Sequence, residues 1–355
     1  MIDFREYGWT LERAACWQQE KGDVVPARVL SVSRGQFQVI SQYGESPAKL
    51  KGSVYYKEDG QAEEFPTVGD FVELMYQPSG DSLIAGTMER SSYFSRKDPD
   101  AGRGEQAVAA NFDYVFIMMS MNHDYNLKRL ERYLAVAWES GGTPVVVLTK
   151  ADLAEDPDEY VRRAEVTAAG VDVMAVSTVT GEGLEQLNEY LEPGKTVVFL
   201  GSSGIGKSSL VNALAGETLM KVNGIRESDS RGRHTTTNRQ MIRLESGAVV
   251  IDTPGMRTMG MWDVTGGMGE AFQDVESLIA LCRFSDCTHE KEPGCAVRAA
   301  IESGELEEGR LMRYRQLMRE NEYAVRRERS KQKQAMRKAK KKGGVREKVR
   351  VRDVQ

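Results

Sequence analysis

The segment Gly201-Ser202-Ser203-Gly204-Ile205-Gly206-Lys207-Ser208 constrains this chain more than any other stretch. Its spacing is G-x-x-x-x-G-K-[ST]. It stands between an apolar run at 196–200 and a helix-forming run that starts at Ser209. Strand, glycine-rich loop and helix in that order build a phosphate cradle. The glycines allow a tight turn that aims backbone N–H groups at phosphate oxygens. The helix start adds partial positive charge at the same place. Residues Gly201 to Ser209 then wrap the phosphates. Lys207 reaches the β- and γ-phosphates and Ser208 holds Mg²⁺.

The surrounding pattern supplies the sheet that such a loop needs. Apolar runs at 114–119, 144–148, 173–176 and 196–200 alternate with helical patterns at 127–140, 158–169 and 183–191. This alternation predicts a parallel sheet with helices on both faces. Two more strands are predicted at 240–244 and 248–251. Upstream, short alternating segments at 27–32, 36–40, 70–75 and 82–85 are punctuated by Gly35, Gly44, Gly52, Gly69 and Gly80. They predict a small β-barrel, OB-like or SH3-like by pattern alone. Residues 1–22, with Trp9, Leu11, Ala14, Ala15 and Trp17 among charges, read as a short amphipathic docking helix. Residues 91–111 read as a linker.

Two elements point to the base. Thr149-Lys150-Ala151-Asp152 follows the second strand of the α/β part, and Ser177-Thr178-Val179-Thr180-Gly181-Glu182-Gly183 follows the third. The first resembles the [NT]-K-x-D motif of GTPases, in which Thr149 stands where Asn is commoner. Asp152 can accept from guanine N1–H and the exocyclic amine together, whereas adenine offers no such donor pair. Lys150 lies along the base plane. The second resembles the S-A-x-T-G-x-G element, whose backbone N–H meets guanine O6. Farther on, Val249-Val250-Ile251-Asp252-Thr253-Pro254-Gly255 is a strand running into D-T-P-G. There Asp252 holds Mg²⁺ through water and the Gly255 N–H senses the γ-phosphate. Asp152 argues against a third class, a P-loop ATPase acting on another nucleic acid.

The order of these elements is the informative point. The base-reading motifs come first and the phosphate loop follows, so the GTPase domain is circularly permuted. The chain resembles the ribosome small-subunit-dependent GTPase A family (RsgA, also called YjeQ or YloQ). The resemblance includes Gln106-Ala107-Val108-Ala109-Ala110-Asn111-Phe112-Asp113 and Gly232-Arg233-His234-Thr235-Thr236-Thr237. It implies GTP hydrolysis to GDP and phosphate, stimulated by the small ribosomal subunit and its rRNA during late maturation. An alternative is a GTP-gated RNA-binding module with negligible hydrolysis of its own. Met256 occupies the position just after D-x-x-G where many GTPases carry Gln, and it cannot polarise water. His234, in the segment between phosphate loop and D-T-P-G, is then the candidate for orienting water; its alternative is an RNA or solvent contact. Thr236 is the expected Mg²⁺ ligand there. Gly204 stands where potassium-activated GTPases carry Asn, so no structural K⁺ is expected. His123 lies in a polar loop and reads as structural or solvated.

Cys282, Cys287, His289 and Cys295 form C-x4-C-x-H-x5-C. Three of the chain's four cysteines are gathered there, which suits a metal better than disulfides. Three thiolates and an imidazole make a closed tetrahedral set for one structural zinc per chain. The net charge of -5 is uneven: residues 326–352 carry fourteen Lys/Arg against two Asp/Glu. An acidic body with a basic tail suggests a polyanionic partner. No run is long and apolar enough to span a membrane, and the start lacks a basic-then-apolar leader, so a cytoplasmic monomer without membrane contact is expected. The expected architecture is multi-domain. It comprises a helical extension (1–22), an OB-like β-barrel (23–92), an α/β circularly permuted P-loop GTPase domain (93–265), a zinc-binding helical module (266–325) and a basic tail (326–355).

Overall fold

The computed structural model describes residues 3–17, 24–33, 35–52, 65–97, 105–218, 239–252, 265–323, 325–326 and 330. By mutual contact they divide in two: one unit holds the described residues up to Lys97 and from Glu105 to Asp252, the other those from Thr265 onward. The basic tail beyond Ser330 lies outside the described residues.

The first unit begins with a 3-10 turn, Phe4–Tyr7, and a short helix α1, Leu11–Cys16. The helix docks by a polar contact rather than an apolar face: α1 buries none of its residues, but its Arg13 donates to Ser91 Oγ at 2.8 Å and Asn111 Oδ1 at 2.9 Å and lies 4.5 Å from the Phe71 ring centroid. Phe4 and Trp9 supply the apolar part, packing on Phe71 of the barrel with ring centroids 6.1 and 5.4 Å away. Strands β1 (Val24–Ser33), β2 (Gln36–Ser41), β3 (Gly44–Leu50), β4 (Phe71–Met75) and β5 (Ser82–Thr87) close a barrel in the order β1-β2-β3-β5-β4-β1. Neighbours are antiparallel except β3 and β5, which run parallel. This is the OB-like arrangement, and it decides between the two barrels that the pattern allows. Val29, Phe37, Val39, Val72, Leu74 and Ile84 alternate inward to fill it.

Residues 91–111 are not a linker. Strands β6 (Tyr93–Lys97) and β7 (Glu105–Ala110) pair antiparallel. The apolar positions among the polar ones explain it: Phe94, Val108, Ala109 and Ala110 are buried, and Phe94 stacks on Phe112 at 4.8 Å. Then come β8 (Tyr114–Ser120), α2 (Leu127–Glu139), β9 (Thr143–Thr149), α3 (Pro157–Thr167), β10 (Val173–Val176), β11 (Thr196–Gly201), α4 (Lys207–Ala215), β12 (Arg239–Arg243) and β13 (Val249–Asp252). The segment predicted as a helix at 183–191 is a 3-10 helix, Leu184–Tyr190. Its two buried residues, Leu187 and Tyr190, are three apart, a spacing that eclipses in three-residue turns. Sheet order is β10-β9-β8-β11-β13-β12, parallel except for β12. β12 also pairs with β1, so barrel and α/β sheet are one continuous sheet. β1 has a bulge between Val29 and Ser31, just where its outer edge passes from β4 to β12.

Arg28 of β1 ties these parts together. Its guanidinium is buried and donates to Gly69 O at 3.2 Å, Tyr7 O at 2.6 Å, Thr196 Oγ1 at 3.0 Å and Asn111 O at 2.6 Å. It also lies 4.8 Å from the Phe71 ring centroid. Among the described residues no carboxylate pairs with it. Burial therefore pushes its pKa down to about 9, partly offset by the charges of Asp113 and Asp70, and it remains a cation at neutral pH. Gly8 makes room for it: a Cβ there would lie 2.8 Å from Arg28 Nη1, and Gly8 has φ +78°.

The second unit holds α5 (Thr265–Ala271), α6 (Gln273–Ala280), α7 (Ala296–Ser303) and α8, residues 308–323. The sequence after the metal set reads as a single helix near 296–322, but it forms two, because Gly304 takes a left-handed conformation and caps α7. Arg310 of α8 lies 4.2 Å from the Phe272 ring centroid and donates to both carboxylate oxygens of Asp274 and to Ala271 O.

Replacing Arg28 by Met would remove a donor from four acceptors, of which Gly69 O keeps the Asn111 amide, at a cost of ~1–3 kcal/mol for each left unpaired that water cannot reach. Arg28→Met is expected to lower unfolding stability by at least ~3 kcal/mol in chemical denaturation. A loss under ~1 kcal/mol would contradict the role given to this side chain.

Candidate functional site

Parallel register brings the predicted motifs to one edge of the sheet. Thr149 ends β9 beside Ser120 of β8 and Val176 of β10, while Gly201 ends β11 beside Met118 of β8. Asp252 ends β13 on the far side of β11. From β8 the chain proceeds outward through β9 and β10, then returns to β11 on the other flank. The crevice beyond such a reversal, at the carboxyl ends of the strands, is where open α/β sheets hold ligands.

The phosphate loop lies in that crevice. Gly206, at φ +97°, makes the left-handed turn that starts α4 at Lys207. Ile205 is buried beneath the loop, whereas Ser203 and Gly204 are exposed and Ser208 and Ser209 are half-buried. Thr149 Oγ1 donates to Ile205 O at 2.5 Å, and Lys150 Nζ donates to Gly204 O at 2.8 Å. Thr149 thus braces the loop in spite of replacing Asn. Lys150 has φ +60°, a rare conformation for a side-chain-bearing residue and one that its loop contact explains. Lys207 Nζ lies 3.5 Å from Asp252 Oδ1, and the Asp252 side chain is buried. This carboxylate and the Ser208 hydroxyl are hard oxygen donors beside a cation that binds phosphate, a set that fits Mg²⁺ held with a nucleotide.

At the base end, Ser177 is buried and Asp152 is exposed. Ala151 is buried and Thr178 half-buried. Ser177 Oγ accepts from the backbone N–H of Val179 and of Thr180, each at 3.2 Å. Its proton is therefore left for Asp152 Oδ1, at 2.5 Å. This bond holds one carboxylate oxygen of Asp152, Oδ1, before any base arrives. His234, Thr236 and Gly255, with the neighbouring Thr235, Thr237 and Met256, lie outside the described residues. The sequence pattern did not single out Asp124, whose carboxylate oxygens both lie 2.9 Å from Ser202 Oγ in the loop. A short polar turn carries no motif for that contact; only the fold brings residues 78 positions apart together.

In the second unit the ligand atoms of Cys282, Cys287, His289 and Cys295 lie within 4.8 Å of one another. Cys282 Sγ is 3.9 Å from Cys295 Sγ, and His289 Nδ1 is 3.5 and 3.4 Å from these two sulfurs. A tetrahedral ion with bonds of about 2.0–2.3 Å needs edges of roughly 3.5–3.8 Å, so the set fits zinc. Burial, and next the charge of Arg315, push the His289 pKa down, which keeps the imidazole in the neutral form that binds metal. Burial together with the neighbouring thiols raises Cys287 to about 11. Burial also acts upward on Cys282, but hydrogen bonds from the Val297 and Ala296 N–H groups outweigh it, and its pKa is lowered. Glu292 accepts from the N–H groups of Thr288, Glu290 and Lys291 at 2.9, 3.0 and 3.0 Å. It gathers the turn that carries His289, which has φ +56°. The residue spacing of the metal set does not reveal this support.

The chain matches the model of a family described as RsgA GTPase over residues 87–262. A Small ribosomal subunit biogenesis GTPase RsgA 1 from Listeria monocytogenes is 48% identical over 299 residues, 84% of each chain. An RsgA 2 of the same description from Lactiplantibacillus plantarum is 42% identical over 322 residues, 91% of this chain and 90% of that one. Among solved structures, YjeQ from Thermotoga maritima is similar with TM-score 0.63 and 27% identity, covering 84% of this chain and 98% of that one. YloQ, described as a circularly permuted GTPase, shares the fold with TM-score 0.60 at 22% identity, over 86% of this chain and 97% of that one.

In the base-reading role expected of Asp152, removing its charge takes away two charge-assisted hydrogen bonds to guanine, each worth ~1.5–3 kcal/mol. Asp152→Asn is expected to weaken GTP binding at least about tenfold and to favour xanthosine nucleotides, measured by titration. Unchanged GTP affinity would remove Asp152 from the base site. Elemental analysis of protein purified without chelator is expected to find one zinc per chain, and Cys287→Ser to lose it; a metal-free wild type would refute the assignment.

Proposed function

The chain belongs to the RsgA GTPase family, and on that premise we propose that it hydrolyses GTP to GDP and phosphate on the small ribosomal subunit, late in that subunit's maturation. The observation that carries this reading is the single crevice where Thr149, Lys150, Asp152 and Ser177 stand with the phosphate loop, Lys207 and Asp252. Base recognition, phosphate binding and a metal-holding carboxylate meet there, which phosphoryl transfer requires.

Within that reading, Ser208, Asp252 and Thr236 hold Mg²⁺, and Lys207 meets the β- and γ-phosphates. His234 orients the attacking water, because Met256 cannot. Residues Gly201–Ser209, Ala151, Thr178 and Gly255 complete the nucleotide shell. Cys282, Cys287, His289 and Cys295 hold one structural zinc. The division proposed is 1–22, 23–92, 93–265, 266–325 and 326–355. The barrel and the zinc module meet rRNA, and the basic tail adds salt-sensitive affinity by displacing counterions. The working form is a cytoplasmic monomer; no helix among the described residues is long and apolar enough to cross a membrane.

Single-turnover GTP hydrolysis, measured with and without small subunits, tests the whole reading. Subunits are expected to accelerate the wild type strongly, and His234→Ala to lose most of that acceleration while keeping its nucleotide affinity. No acceleration of the wild type would leave a GTP-gated binder, and an unaffected His234→Ala would release that residue to another role.

A further inference from the structure

The phosphate loop is held from the ends of two strands, β9 and β8, on one side of β11, and one of the two holds has no part in base or phosphate recognition. On the β9 side, Thr149 and Lys150 grip Ile205 O and Gly204 O. On the β8 side the chain leaves the strand at Ser120 and turns through Asn122-His123-Asp124. Asn122 Oδ1 shapes the turn by accepting from Ser120 Oγ and from the Asp124 N–H, both at 2.9 Å. The turn delivers the Asp124 carboxylate to Ser202, whose hydroxyl is 2.9 Å from each of its oxygens. Between Gly201, the last residue of β11, and Gly204, Ser202 is the loop's one side-chain anchor among the described residues.

The charge of Asp124 is itself matched. Arg129, in the first turn of α2, lies 2.9 Å from Asp124 Oδ1 and also donates to the Asp124 carbonyl. A carboxylate neutralised in this way does not repel phosphate strongly, so its effect on the loop is that of an anchor. The pair is mostly buried, with side chains 19% and 30% exposed, so water competes weakly for it.

We propose that Asp124 is a positioning residue for the phosphate loop: by fixing Ser202 it holds the first half of the loop in its binding shape and slows the departure of bound nucleotide. This rests on the reading that a guanine nucleotide occupies the loop. A loop already ordered loses less entropy on binding. Without the anchor, Ser202 and Ser203 can move off the phosphates with a smaller barrier, and dissociation quickens.

The test uses the full chain and methylanthraniloyl-GDP, with dissociation followed by stopped-flow fluorescence. Asp124→Ala and Ser202→Ala are each expected to speed dissociation about five- to twentyfold, since they cut the same bond. The double variant is expected within about twofold of the faster single. Asp124→Asn, whose amide oxygen still accepts, should recover part of the loss. Single variants within about twofold of wild type, or a double variant whose effect is the product of the two singles, would overturn the proposal. If Asp124→Ala does not fold, Ser202→Ala and Asp124→Asn decide the matter. A wild type that fails to bind the nucleotide would overturn both this and the proposed function, whereas a wild type that binds while its variants behave alike overturns the anchor alone.

Discussion

A single positive charge, Arg28, sits where water does not reach and is answered by oxygens without formal charge. Three are backbone carbonyls and one is a hydroxyl. They come from the amino-terminal segment, the barrel, the turn before β8 and the first residue of β11. No single segment can satisfy the guanidinium. A buried donor left unpaired is costly, so the cation is tolerated only when all four are assembled. The consequence is positional. The barrel and the amino-terminal turn are pinned to the amino edge of the sheet, near Thr196, and the carboxyl edge is left to the nucleotide.

That edge has its own economy of hydrogen bonds. Ser177 has its acceptor capacity taken by two backbone N–H groups, which turns its proton toward Asp152. The loop is gripped by Lys150 in a backbone conformation that lysine seldom adopts. In both places rigidity is built in before the ligand arrives, so little ordering remains to oppose binding. The metal-ligand cluster works similarly: Glu292 folds the turn around His289 through backbone N–H groups and leaves the imidazole nitrogen facing the sulfurs.

What could be read in advance follows from physics that is local in sequence. The strands of the α/β sheet are runs of buried apolar residues, and the phosphate loop, base motifs and metal ligands have fixed spacings, so periodicity and motif chemistry find them. Four of the barrel's five strands were also readable, whereas β3 was not, its glycine, proline and charged residues hiding it. The barrel's identity was not readable either, because OB-like and SH3-like barrels differ in strand order rather than in strand pattern. β6 and β7 were hidden by polar neighbours; Phe94 finds its partner Phe112 only in three dimensions. The 3-10 helix at Leu184–Tyr190 and the break at Gly304 are boundary effects that helical periodicity blurs. Arg28 and Asp124 left no trace in the pattern, since an arginine in a strand and an aspartate in a turn are ordinary until the fold surrounds them.

The pairing of β12 with β1 has an implication for how this protein can be dissected. β12 is flanked by β13 on one side and by barrel strand β1 on the other, through the pairs Ser31↔Gln240 and Val32↔Arg239. Cutting the barrel away would not free a finished α/β domain. It would strip the neighbour from β12 and bare a row of backbone donors and acceptors, the kind of edge that recruits strands from other molecules. The excised barrel would be left with the matching stretch of β1 uncovered. The two modules are therefore separable as lengths of sequence but not as well-behaved solutes, and a fragment that begins after the barrel inherits a surface that nature kept covered.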